Sequence, residues 1–152
     1  TPMQWNPGPG AGFTDAGVQP WLRIPDGEGR PCVEEARRNP LSLWHWYRSL
    51  IELRKRNPAL ASGDFLMLSP GKRGILSFRR TPADAKAVPD AKGGTSPVPG
   101  SVDCYLNFSG RRRAVTLPAD GKVLLGSRRN PRESLGSGTL VLAPYEALLV
   151  SF

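Results

Sequence analysis

Thirteen carboxylates, one histidine and two cysteines make up the acid–base, nucleophilic and ligand chemistry of this 152-residue chain. Paired-carboxylate catalysis needs two carboxyl groups in one rigid pocket, one of them with a raised pKa so that it can hand over a proton. Asp15, Asp26 and Glu28 lie in turn-rich chain, Glu34 and Glu35 ahead of a helical run, and Glu52 on the polar side of that run. Asp64, Asp84, Asp90, Asp103, Asp120, Glu133 and Glu146 fall in or at the ends of short β runs and in the turns between them. No spacing places two of them in one pocket, so no catalytic pair is assigned. His45 falls on the solvent side of its helix without an orienting partner, which argues against a general base. Neither a G-x-S-x-G elbow nor a glycine-rich phosphate loop opening a helix occurs. Cys32 and Cys104 are far apart and without a CxxC; they read as two buried or half-buried thiols in a reducing cytoplasm, a disulfide being allowed but unforced. With one histidine there is no zinc set, and neither a metal nor a cofactor is expected.

The elements that must position these groups begin with irregular chain. Prolines at 2, 7, 9 and 20 and glycines at 8, 10, 12 and 17 forbid a regular helix or a central strand over the first twenty residues. Yet Trp5, Phe13 and Trp21 stand there, large apolar groups that a solvated tail has little reason to hold. The segment reads as a loop pressed onto a neighbour that lies outside these 152 residues. After a turn-rich passage from Pro25 to Pro31 and a polar run from Val33 to Arg38, Asn39 is placed as an N-cap and Pro40 at the first helical position. The helix then runs over Leu41 to Arg56 and ends at Asn57-Pro58. At about 100° per residue, Leu43, Trp44, Trp46, Tyr47, Leu50, Ile51 and Leu53 share one face. That face takes in half the circumference, wider than one packing partner needs, so it is expected to pack against two bodies, one of them missing from this chain.

From Gly63 the texture changes to short β runs separated by turn residues. Strands are expected over Phe65–Leu68, Ile75–Arg80, Asp103–Phe108, Ala114–Leu117, Val123–Leu125, Thr139–Leu142 and Glu146–Phe152. Residues 101–108 alternate polar with bulkier side chains, as in a strand with one buried face. Residues 81–100, rich in proline and glycine, read as a flexible hairpin insertion. The expected fold class is α+β: residues 1–60 an irregular loop with one long amphipathic helix, residues 61–152 an antiparallel β-sandwich.

A hydrophobic share of 39% and a charged share of 22% are ordinary globular values, and no apolar run reaches the roughly 20 residues of a membrane span. The start of the chain shows no basic and apolar leader pattern, and no membrane partner is expected. The net charge of +8 comes mainly from arginine, gathered at Arg111-Arg112-Arg113, Arg128-Arg129 and Arg132. A phosphate-binding stripe is one reading, but no aromatic residue is interleaved and no nucleic-acid motif occurs, so a solvated arginine-rich face is the plainer one.

Taken together, Thr1-Pro2-Met3-Gln4-Trp5, then Ala11-Gly12-Phe13 and Pro20-Trp21-Leu22, resemble the α-glucosidases of glycoside hydrolase family 13, the α-amylase superfamily, in its oligo-1,6-glucosidase and maltase branch. Val33-Glu34-Glu35 and the run from Trp46 through Arg54-Lys55 to Asn57-Pro58-Ala59-Leu60 continue the likeness. So do Gly63-Asp64-Phe65, Leu106-Asn107-Phe108-Ser109 and Leu142 to Ala147. Cys32 and Ala36 depart from the family's usual Asn and Gln. The resemblance implies that the helix is the last of a (β/α)8 barrel whose nucleophile, acid/base and stabilising carboxylate all precede Thr1. This chain would then supply a rim loop and a C-terminal β domain, its partners being that barrel and, through it, an oligosaccharide substrate. On the same footing Gln4 and Trp5 are the substrate-binding candidates, an amide to bridge sugar hydroxyls and an indole to stack on a sugar face. A loop whose aromatics merely wedge it against the barrel stands beside that reading. Rival readings are a free-standing carbohydrate-binding or structural module, a sucrose isomerase or trehalose synthase relative, and a basic nucleic-acid binder.

Overall fold

The computed structural model describes residues 2–24, 31–69, 71–85, 88–89 and 95–152, with backbone alone at 88–89 and 95. The chain divides into two compact units, Thr1–Glu52 and Leu53–Phe152. Thr1, Pro25, Asp26, Glu28 and Asp90, named above, lie outside the described residues.

The first unit holds a 3-10 turn (Pro9–Gly12), the short helix α1 (Val33–Arg38) and most of α2 (Leu43–Arg56). The polar run after Pro31 is therefore helical. Glu34 and Glu35 occupy its first turn and Arg37 and Arg38 its last, each sign matching the helix dipole, and Arg38 pairs with Glu34 one turn away. Asn39 and Pro40 do not start the long helix. Asn39 closes α1, its N–H donating to Glu35 O at 3.0 Å, and its side chain accepts Leu41 N–H at 3.0 Å in the turn that follows. The first intrahelical bond of α2 runs instead from Trp46 N–H to Ser42 O at 3.1 Å. His45 is not solvent-facing as the wheel suggests. It is half-buried, its ring lies edge-on to Trp44 at 4.7 Å between centroids, and Nε2–H donates to Arg37 O at 3.0 Å. That bond satisfies a carbonyl of α1's last turn, which has no partner within the helix.

In the second unit Asn57-Pro58 does end α2, and Pro58 then opens α3 (Pro58–Ser62), Asn57 accepting Leu60 N–H as its N-cap. The strands are β1 (Asp64–Met67), β2 (Ile75–Thr81), β3 (Val88–Pro89), β4 (Thr95–Ser96), β5 (Val102–Asn107), β6 (Arg113–Leu117), β7 (Gly121–Gly126), β8 (Ser134–Leu135), β9 (Gly138–Leu142) and β10 (Ala147–Ser151). A six-stranded antiparallel sheet runs in the order β1-β2-β5-β10-β7-β8, and β6 with β9 forms a two-stranded antiparallel ribbon. Within the segment read as an insertion, β3 pairs with β4 as a hairpin. The α+β class holds in this coarse form: a mostly antiparallel sheet with few helices.

Alternation decides which face each strand residue covers. On one face of the sheet Tyr105, Val123, Leu148 and Val150 meet Val115, Leu117, Leu140 and Leu142 of the ribbon. Leu142 and Leu148 are fully buried, each stabilising the fold by roughly 1.5–3 kcal/mol. On the opposite face Val102, Cys104 and Leu149 pack with Ala59 and Leu60 of α3. Strand β5 is thus covered on both faces, contrary to the one-sided burial its alternation suggests. Its polar residues go inside because they are paired. Arg79 Nε donates to Asp103 Oδ1 at 2.6 Å, Arg79 Nη2 to Asp103 Oδ2 at 2.9 Å, and Tyr105 Oη to the same Oδ2 at 2.9 Å.

The β-domain marks of the sequence are one structural clasp. Asn107 Nδ2 donates to Arg111 O at 2.8 Å and Ala143 O at 2.7 Å, while its Oδ1 accepts Ser109 N–H at 3.0 Å. Glu146, buried, accepts Ala143 N–H at 2.6 Å and Arg129 Nε–H at 2.8 Å. These residues tie the turns after β5, β7 and β9 together.

Cys32 and Cys104 are both buried free thiols. Burial, then the neighbouring Asp103 carboxylate, pushes the Cys104 thiol up to about 12, with Arg80 opposing. Since the thiolate is the reactive form, Cys104 is expected to resist iodoacetamide at pH 8 in the folded chain and to react once urea unfolds it. Peptide mapping after timed alkylation measures this; rapid native labelling of Cys104 would contradict its placement.

Candidate functional site

Gln4 and Trp5 are fixed by their backbones. The first two N–H groups of α1, which have no partner inside the helix, donate outward: Val33 N–H to Gln4 O and Glu34 N–H to Trp5 O, each at 2.9 Å. Trp5 N–H and Asn6 N–H in turn share Ala11 O, at 2.8 and 3.2 Å. To bring that carbonyl round, Gly10, Ala11 and Gly12 take φ of 62°, 53° and 66°. A side chain at Gly12 would also strike Asn6, whose Nδ2 lies 2.4 Å from the position a Cβ would take. Asn6 Oδ1 accepts Gly8 N–H at 3.0 Å, completing a rigid turn. The loop is therefore ordered by its own hydrogen bonds.

What it presents is apolar and open. Trp5 is 49% exposed and Trp21 91% exposed, with Phe13 also in the open. Trp5 lines a shallow pocket with Val33, Glu34, Arg37 and Arg38. The buried Gln4 Oε1 accepts no hydrogen bond among the described residues. An acceptor left in that state is costly unless an outside donor reaches it.

The described carboxylates are not brought together for acid–base work. Among the described residues, Asp103 is spent on Arg79 and Tyr105, and Glu146 on Arg129 and Ala143. Glu34 and Glu52 make exposed ion pairs with arginines one turn along their helices, Arg38 and Arg48. Asp120 accepts Ser137 N–H at 2.7 Å, and that bond holds its pKa below the usual carboxylate value, the wrong direction for a proton donor at neutral pH. The residues that sequence reasoning missed are structural: Arg79, Asp103 and Tyr105 form a buried polar network that a strand pattern does not announce.

Residues 1–63 match the family model described as "Alpha amylase, catalytic domain". Nearly the whole chain, 97%, aligns with a probable oligo-1,6-glucosidase of Bacillus subtilis at 29% identity, covering 24% of that protein. An α-glucosidase of Schizosaccharomyces pombe is 31% identical over 99% of the chain and 24% of its own length. The chain thus spans about a quarter of the length of the curated relatives it matches. Among solved structures, an isomaltulose synthase of Klebsiella sp. LX3 superposes with a TM-score of 0.79 at 25% identity, over 99% of this chain and 24% of that one. A trehalulose synthase shares the fold with a TM-score of 0.80 at 23% identity, over 100% of this chain and 25% of that one.

Proposed function

We propose that this chain, which belongs to the α-amylase family of glycoside hydrolases, supplies the rim loop, the terminal barrel helix and the C-terminal β domain of a retaining α-glucosidase. The whole enzyme would cleave terminal α-glucosidic bonds of short oligosaccharides in the cytoplasm, by double displacement between two carboxyl groups about 5–5.5 Å apart. Those carboxyl groups belong to the barrel that precedes Thr1. The observation carrying this reading is α2. Leu43, Tyr47 and Ile51, one turn apart, are 74%, 64% and 52% exposed, and no residue of the helix is buried. An apolar stripe of that length left in water is the mark of a surface built to be covered. The exposed Trp5, Phe13 and Trp21 of the loop ask for cover in the same way. Within the assembled enzyme Gln4 and Trp5 face the sugar, the unsatisfied Gln4 Oε1 accepting a hydroxyl hydrogen and the indole offering a stacking face.

The expected behaviour of the lone chain follows. It should self-associate in sedimentation analysis and enhance the fluorescence of an apolar dye. A Leu43→Lys, Tyr47→Lys, Ile51→Lys variant should do both much less while still folding, because these positions are exposed and the loop aromatics alone remain uncovered. A monomeric parent that ignores the dye would remove the ground for a missing neighbour. Saturable binding of maltose or isomaltose by the chain alone would instead favour a free-standing carbohydrate-binding module.

A further inference from the structure

The arginines gathered at 111–113, 128–129 and 132 play no part in the glycosidase reading, yet the β unit brings three of them to one place. Arg112, Arg128 and Arg129 line an open pocket of about 380 Å³. Arg129 is spent on structure: besides its bond to Glu146, Nη2 donates to Val141 O at 2.9 Å and Nη1 stands 3.5 Å from Glu133. This accounts for both acids of the pocket, Glu133 and Glu146. Arg112 and Arg128 differ. Both are exposed, and neither makes an ion pair or a side-chain hydrogen bond among the described residues.

Their backbones are nonetheless tied down. Arg111 O, just before Arg112, accepts from Asn107 Nδ2 at 2.8 Å and from Ser109 Oγ at 3.3 Å. Just before Arg128, Ser127 N–H donates to Ala147 O at 2.9 Å and Ala147 N–H to Ser127 Oγ at 3.0 Å. Two uncompensated guanidinium groups thereby extend from fixed backbone positions around one concavity, where like charges repel. An anion between them turns that repulsion into attraction.

We propose that this pocket binds the phosphoryl group of a small phosphate monoester. A single carboxylate offers one pair of oxygens and one charge, enough for one guanidinium fork. A phosphoryl dianion offers three oxygens and serves both. The pocket is larger than a phosphoryl group needs, and Val141 and Ala143 form a wall against which the ester's carbon portion can lie. The inference is independent of the glycosidase reading and survives its failure.

Calorimetric titration of the chain with glucose 6-phosphate, inorganic phosphate, glucose and a short single-stranded oligonucleotide tests it. Glucose 6-phosphate should bind saturably and more tightly than inorganic phosphate, and glucose should not bind. An Arg112→Gln, Arg128→Gln variant should weaken binding of the ester at least about thirtyfold. Its ligand-free urea transition should stay where it was, which excludes misfolding as the cause. The proposal is overturned if no phosphate compound binds, if the ester binds no tighter than inorganic phosphate, or if the variant binds as the parent does. Binding of the oligonucleotide without the ester would also overturn it and assign the surface to a nucleic-acid backbone.

Discussion

Replacing Arg79 by Ala is expected to destabilise the β unit by about 3–5 kcal/mol, among the largest effects any single side chain here should have. Arg79 is 2% exposed and Asp103 0% exposed, and the two are joined by a bidentate pair at 2.6 and 2.9 Å. Removing the guanidinium leaves a buried carboxylate that keeps, among the described residues, the Tyr105 Oη–H bond alone. Burial, the Asp103 charge and this hydrogen bond raise the Tyr105 hydroxyl above its ordinary pKa, which keeps it a donor to that carboxylate. The Phe152 ring, 5.7 Å from the Arg79 guanidinium, loses its cation as well. The cost belongs to the stranded charge rather than to the worth of the pair. An Arg79→Met, Asp103→Leu, Tyr105→Phe variant should therefore recover most of the loss. Equilibrium urea unfolding measures both. An Arg79→Ala loss under about 1 kcal/mol would mean that the carboxylate is not buried as described.

The second large effect is steric. Gly63 closes α3 and leads directly into β1, and its φ of −67° would suit any residue. Space is what forbids a side chain. A Cβ at Gly63 would sit 2.2 Å from Thr81 O, 2.6 Å from Ala59 O and 2.9 Å from Ala59 Cα, all of them backbone atoms that cannot rotate away. Gly63→Ala is expected to cost about 3 kcal/mol as α3 and β2 are forced apart. Gly17→Ala makes an instructive contrast. Its φ is +84° with nothing within 4 Å, so only backbone strain of about 1 kcal/mol is expected there. Unfolding midpoints of the two variants in urea distinguish the causes; equal losses would contradict the packing of α3 against β2.

How much of this was legible depends on what each residue had to reveal. Asn57-Pro58 announces the end of α2 because proline cannot continue a helix and asparagine caps the next one. Asn39-Pro40 carries the same kind of signal and misleads: two helices lie close together there, and the turn between them uses the asparagine. Strands β5, β7, β9 and β10 stand out by their apolar runs, whereas β8 has two residues and no pattern to read. The Arg79–Asp103 pair is invisible locally because each residue, taken alone, reads as a solvent-facing strand position. Only the register of β2 against β5, which sets Arg79 opposite Asp103, makes them a pair. For Gln4 and Trp5 the sequence supplied the residue types. The backbone bonds from α1 that fix them depend on a contact some thirty positions away.

The same logic bears on His45. A lone histidine on a polar helix face gives no sign of a partner, and the partner is a main-chain carbonyl on the preceding helix. Its hydrogen bond joins two helices of the first unit, which gives the histidine a structural part.

The most direct measurement is turnover of a chromogenic α-glucoside by the purified chain at neutral pH. With the carboxylates among the described residues paired elsewhere, exposed or held at low pKa, and with the catalytic groups assigned to a preceding barrel, the expected result is no hydrolysis above the uncatalysed rate. If the proposed barrel precedes this chain in a longer protein, supplying the two together should restore turnover, and Trp5→Ala in that combination should raise KM or lower kcat. Hydrolysis by the 152 residues alone, abolished by changing one of their own carboxylates, would contradict the assignment of chemistry to the barrel.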